Sequence, residues 1–223
     1  MRRIILCAIL FSFPAMFAGL GCESGPTSKG DASTIRQLRE EADTCYNRFV
    51  NGDGTNYDDL ECFVEKHRLS TEVYRDPALC PLCYLNYGFA LRERARYFVT
   101  LRLAVRRSLE SERDATRRGE LEAQLKRTNE KIEKDLTRSL ENYRIYASQG
   151  SIGEPLVFYW GSQQHYELGN YAEAALHLKE YIGRVKESAS SEDLAKLNRK
   201  LSTYRKLDER EGFRREERNG SEG

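Results

Sequence analysis

The sequence predicts an all-α chain, and three observations carry that expectation. Only five prolines occur in 223 residues, and long stretches read as Leu, Ala, Glu, Lys and Arg, which are strong helix formers. Apolar residues recur at steps of three and four, the signature of one helix face. Short Gly- and Asn-containing breaks punctuate these runs at the spacing of hairpin turns.

The first long segment, 34 to 50, carries Ile35, Leu38, Ala42, Cys45 and Phe49 on one face. The turn Asn51-Gly-Asp-Gly-Thr-Asn56 follows. It opens like a calcium loop, but its twelfth position is Cys62 rather than Glu, so it reads as a turn. Residues 57 to 69 repeat the helical pattern through Leu60, Phe63 and Val64. Asp76-Pro77 breaks the chain, and Pro81 sits where a first-turn proline belongs. A helix is expected from 81 to 112, with Leu85, Phe89, Ala95, Phe98, Leu101, Val105 and Leu109 inward. Another runs from 117 to 148 through Leu121, Leu125, Ile132, Leu136, Leu140, Tyr143 and Ala147. The pair forms one long hairpin whose tip reaches past the body. A loop at 149 to 154 leads to helices at 155–168 and 171–186, separated by Gly169-Asn170. Ser190 to Asp193 begins a final helix through Leu194, Leu197, Leu201 and Tyr204. Residues 208–223 are charged and poor in core residues, so a disordered tail is expected there.

The N-terminus reads as an address. Arg2 and Arg3 precede an apolar run from Ile4, broken by Ser12 and Pro14, that closes on Gly19-Leu-Gly-Cys22. This is a secretory signal over 1–21. It resembles the lipobox of bacterial lipoproteins, in which small residues precede a diacylglycerol-modified cysteine. Gly21 and Cys22 match that pattern, while Leu20 sits one place later than the usual leucine. The resemblance implies lipidation at Cys22, a membrane anchor, and a periplasm-facing outer-membrane address where the host has one. Residues 22–33 read as the lipidated cysteine and a Gly/Ser/Pro-containing tether, followed by a helical domain over 34–207. Two alternatives stand beside it: an ordinary secretory signal, which would cleave at the same bond, and an uncleaved membrane anchor, against which Ser12 and Pro14 interrupt the run.

Removing 1–21 takes basic residues from 36 to 34 against 35 acids. That balance offers no case for nucleic-acid binding. Four cysteines remain in the body: Cys45, Cys62, Cys80 and Cys83. An even count in an oxidising compartment favours two disulfides, with three pairings open. Cys45 and Cys62 lie equidistant from the first turn, so a staple across that hairpin is one option. Links from that hairpin to Cys80 and Cys83 are the other. Cys80-Pro-Leu-Cys83 at a helix N-terminus also has the spacing of a thiol–disulfide redox motif, and four thiols could bind zinc. The chain lacks the βαβ pattern of thioredoxin-like folds, and only one close cysteine pair exists.

Residues 155–182 resemble a tetratricopeptide (TPR) unit. Phe158 takes the early bulky position and Ser162 the small one. Gly169 marks the turn, Tyr171 the aromatic after it and Ala174 the close-packing alanine, with Leu178 and Tyr181 later. Tyr181 stands where that family usually has a small residue. A looser unit begins 74 residues earlier, aligning Pro81…Gly88 with Pro155…Ser162. Its second helix aligns Ser139 with Ala174 and Tyr143 with Leu178, so the elongated hairpin is an insertion of 39 residues. The resemblance implies a stack of antiparallel helical hairpins that binds a protein or peptide along its first helices. The groove would present Leu82, Leu85, Phe89, Arg92 and Glu93, then Leu156, Tyr159, Gln163, Tyr166 and Glu167; the alternative is that these aromatics are the core of a short, closed stack. Segment 34–69 would be a divergent unit or cap, and the last helix a C-terminal cap.

Catalysis has little sequence support. His67, His165 and His177 are scattered; the last two lie on different helices of one unit and could be near each other, but no nucleophile or carboxylate pattern joins them. No phosphate-cradling loop or metal-ligand spacing appears, so no enzyme activity, metal or cofactor is expected. The expected function is a lipid-anchored scaffold, with a redox factor at Cys80 and Cys83 as the alternative.

Overall fold

A computed structural model describes residues 29–220 except 53 and 150–154, with side chains for 32–212 of these. The expected secretory signal, Cys22 and most of the expected tether lie outside the described residues. Seven helices make up the described chain: α1 (Lys29–Asn51), α2 (Tyr57–Val73), α3 (Pro81–Ser111), α4 (Ala115–Ser148), α5 (Leu156–Glu167), α6 (Tyr171–Val185) and α7 (Ser191–Gly220). Among the described residues there is no strand, so the all-α class holds.

Local chemistry starts and stops these helices where side chains can satisfy free backbone groups. Asn56 accepts from the Asp58 amide at the start of α2, and Asp114 accepts from the Arg117 amide at 2.7 Å to open α4. Ser190 accepts from the Asp193 amide to open α7. α5 ends in a Schellman turn: the Asn170 amide donates to the His165 carbonyl and the Gly169 amide to that of Tyr166. Gly169 has φ +77°, a left-handed conformation that glycine adopts without steric cost.

The helices pair in sequence as three antiparallel hairpins, α1/α2, α3/α4 and α5/α6, with α7 packed on the last. Cys45 and Cys62 are joined across the first hairpin, and Cys80 and Cys83 within the first turn of α3. The geometry therefore selects the staple and excludes the links between hairpins. Around the staple, Ala42, Leu60, Phe63, Val64, Ala90 and Leu91 form the first core. Ala95, Phe98, Ile132 and Leu136 fill the middle of α3/α4, while Ala174, Leu178, Leu201 and Tyr204 join α6 to α7.

Four boundaries differ from the sequence expectation. α1 begins at Lys29, inside the expected tether. α2 runs on to Val73. α4 starts two residues early because Asp114 caps it. α7 continues to Gly220 rather than ending near 207. The sequence from 208 to 220 holds one large apolar residue, Phe213, so apolar periodicity carried no sign of a helix there. At about 1.5 Å per residue, α3 is about 46 Å long against about 18 Å for α5. Arg102 bonds Glu167 at the far end of α5, and farther toward the hairpin tip α3 buries Val105 and α4 buries Leu121.

Candidate functional site

Aromatic rings link the first helices in a row. Tyr46 of α1 meets Phe89 of α3 edge-on, with centroids 6.2 Å apart, and Phe89 meets Trp160 of α5 at 5.5 Å. Tyr166 of α5 then stacks on Tyr204 of α7 at 5.0 Å. These are the separations and tilts that ring quadrupoles favour.

Charged and polar side chains cross the α3–α5 seam beside the rings. The Arg92 guanidinium lies over Trp160 at 5.3 Å and donates to Gln163 at 3.1 Å and to Glu93 at 3.0 Å. Arg96 also donates to Glu93, and Arg102 to Glu167 at 2.9 Å. Burial, and next the Glu93 carboxylate, push the Tyr46 hydroxyl up to about 12, so it remains a neutral hydrogen-bonding group in water at any physiological pH. The seam thus offers held donors and acceptors next to aromatic faces, with Arg96 and Tyr166 exposed at its edges.

The expected groove residues divide. Arg92, Glu93 and Gln163 come together at the seam. Leu82 and Leu156 are half-buried, and Leu82 lies against the core of Leu85, Tyr143, Tyr146 and Val157. Leu85 is 2% exposed and is core, not groove: it points to α4, whose tyrosines fill the space beneath it. Phe89 is spent bridging hairpins. Tyr159 packs on Tyr181 at 5.1 Å, with Lys200 of α7 above its ring. Tyr166 is covered on one side by Tyr204. Of the ten positions expected to line a groove, those left to face a partner therefore narrow to the α3–α5 seam and its rims.

The small-residue positions meet as aligned, with one shift. Gly88 lies against Tyr143 and the Ser139 carbonyl, and the Ser139 hydroxyl donates to the Gly88 carbonyl at 2.5 Å. Gln164 of α5 donates to Ser139, tying the second hairpin to the third. In the last hairpin the close approach falls on Gly161, which faces His177, rather than on Ser162 beside it. Ser162 is fully buried and turns its hydroxyl back to the Tyr159 carbonyl.

His165 and His177 lie with ring centroids 4.9 Å apart, and the Nδ1 atom of each is buried without a hydrogen-bond partner. Burial, and then the neighbouring imidazole, hold His165 down at about 4. Burial likewise lowers His177. Both are neutral at pH 7, and no nucleophile stands beside them in a hydrogen bond. Among the described residues no three His, Cys, Asp or Glu side chains gather as a metal site. Cys80 and Cys83 are 1% and 2% exposed, so an attacking thiolate could not reach either sulfur without opening the start of α3.

Sequence reasoning missed Trp160 and the ion pairs Arg102–Glu167 and Arg94–Asp135. Their partners lie 65 and 41 residues apart, and no local periodicity encodes such pairs. Trp160 was visible as the one tryptophan in the chain, opposite Asn86 in the 74-residue alignment. No family model, curated protein or solved structure matches the chain.

Proposed function

We propose that this protein is a lipid-anchored scaffold of the cell envelope that holds a protein or peptide partner along a TPR-like row of first helices. The observation that supports it most is the recurrence of one packing device. Two successive hairpins each close on a glycine of the first helix, Gly88 and Gly161, pressed against a ring of the second, Tyr143 and His177. The TPR pattern needs small residues at these crossings so that paired helices approach closely and successive pairs stack. Stacking of this kind leaves a side of the first helices for a partner. Here that side offers the Arg92–Trp160–Gln163 seam, rimmed by Arg96 and Tyr166. Arginine and large aromatics are the residues that most often anchor protein partners.

The anchor rests on the lipobox resemblance at Gly21-Cys22. No helix among the described residues is long and apolar enough to cross a membrane. The protein should sediment with membranes until detergent is added, and Cys22→Ser should release it. Retention of that variant would reject the anchor. Crosslinking in intact envelopes should capture a partner, and Arg96→Glu with Tyr166→Ala should abolish capture while α-helical content is unchanged. Undiminished capture would reject the seam as the binding face.

A further inference from the structure

α7 meets α5 and α6 much as the first helix of a further hairpin would, through Tyr204 on Tyr166 and through Leu201 and Tyr204 on Ala174 and Leu178. The earlier first helices α1, α3 and α5 each have a second helix of their own. α7 has none among the described residues. Between α6 and α7 lies an open cleft of about 300 Å³, lined by Ala172, Ala175, Leu176 and Lys179 of α6 and by Arg205 and Asp208 of α7. Leu176 stands 65% exposed there, the most exposed large apolar side chain among the described residues.

Two further features say what covers the cleft. Arg205 and Asp208 lie three residues apart on the face of α7 toward the cleft, and neither has an ion-pair partner among the described residues. Gly212, one turn beyond Asp208 on the same face, has open space where a Cβ would stand. Helical glycine costs about 1 kcal/mol relative to alanine in an exposed helix, and its absent side chain allows a second backbone to come close.

We infer that the cleft is the contact between two copies of this chain, with α7 of each lying antiparallel to the other across a two-fold axis near residues 206–207. An opposite-charge pair three residues apart is self-complementary under that operation. Arg205 meets the partner's Asp208, and Asp208 meets the partner's Arg205, as an isologous interface requires. The small side chains of Ala172 and Ala175 leave room for the incoming helix, and Leu176 loses its contact with water. The charges set the register and Leu176 supplies the apolar burial. This rests on the order of the hairpins and not on the scaffold reading, so either can fail alone.

The test is the mass of the full chain in mild detergent, measured by light scattering on a sizing column, with the detergent contribution subtracted. Two chains per particle are expected. Leu176→Glu should give one chain with unchanged α-helical content, because Leu176 is already exposed in the single chain, and its melting midpoint should no longer rise with protein concentration. Arg205→Asp alone and Asp208→Arg alone should each give one chain. An equimolar mixture of those two variants should recover two, because their charges complement across the axis. A single-chain wild type at the highest soluble concentration would overturn the inference, as would a Leu176→Glu dimer of undiminished mass. Single charge variants that remain dimeric, or a mixture that stays monomeric, would overturn the antiparallel register.

Discussion

Replacing Gly88 by alanine sets two effects of known sign against each other. Alanine in a helix interior gains about 1 kcal/mol over glycine. At position 88 the new Cβ would stand 2.6 and 2.7 Å from two carbons of the Tyr143 ring and 3.2 Å from the Ser139 carbonyl. Carbon atoms in contact sit about 3.5–4.0 Å apart, so the ring would have to retreat by about 1 Å. It has nowhere to go, because Tyr143 is 3% exposed and enclosed by Leu85, Tyr146, Val157 and Trp160. Overpacking of this kind costs about 1–3 kcal/mol. The buried bond from Ser139 to the Gly88 carbonyl adds about 1 kcal/mol if the backbone shifts. The expected net loss is about 2 kcal/mol. Gly119 on α4 is the control: it is helical and exposed, with nothing within 4 Å of its Cβ direction, so Gly119→Ala should gain about 1 kcal/mol. The gap of about 3 kcal/mol corresponds to about 6–12 °C in melting temperature for a chain of this size. Thermal and urea melts followed by circular dichroism measure it directly. If Gly88→Ala melts at or above Gly119→Ala, the close crossing of α3 and α4 is wrong, and the repeat argument goes with it.

Other expectations follow from the same geometry. Arg94 of α3 pairs both Asp135 of α4 and Glu61 of α2 at 2.7 Å, and Asp135 is 2% exposed. Arg94→Met should cost about 3–5 kcal/mol in urea unfolding by stranding that carboxylate, and adding Asp135→Leu should recover most of it. His67 is 5% exposed against Phe63, and burial, then Arg39, hold it down at about 4 against an unfolded value of 6.5. The unfolded chain therefore takes the proton first. Stability is full above about pH 6.5 and falls by about 3 kcal/mol as pH drops through 4, and His67→Leu should flatten that part of a urea-midpoint profile. Opening the 17-residue loop with Cys45→Ala and Cys62→Ala together should cost about 3 kcal/mol, whereas reductant should have no further effect on that variant's first hairpin.

Much of this architecture was legible because it is local. The stripe Ile35, Leu38, Ala42, Cys45 and Phe49 needs only the 3.6-residue period to be read as α1, and Pro81 and Gly169 mark ends by their own backbone chemistry. The equal distances of Cys45 and Cys62 from the first turn made their pairing one of the open options, because an antiparallel hairpin brings such positions opposite one another. Glycine and serine at 88 and 162, with serine and alanine at 139 and 174, marked helix crossings before any packing was known. The neighbouring Gly161 was overlooked because the alignment favoured Ser162 by one place.

What needed the folded chain was everything that joins distant segments. Leu85 and Phe89 lie one turn apart on the same face of α3, and periodicity cannot distinguish them. Only the tyrosines of α4 make Leu85 core, and only Trp160 of α5 makes Phe89 a bridge. The choice between disulfide pairings, the clamp on Arg92 and the Arg94 network rest on where α2, α4 and α5 meet α3. Helix periods are set by the backbone and written in neighbouring residues. The facing of one helix toward another is set by the summed packing of all of them, and no short stretch of residues contains that sum.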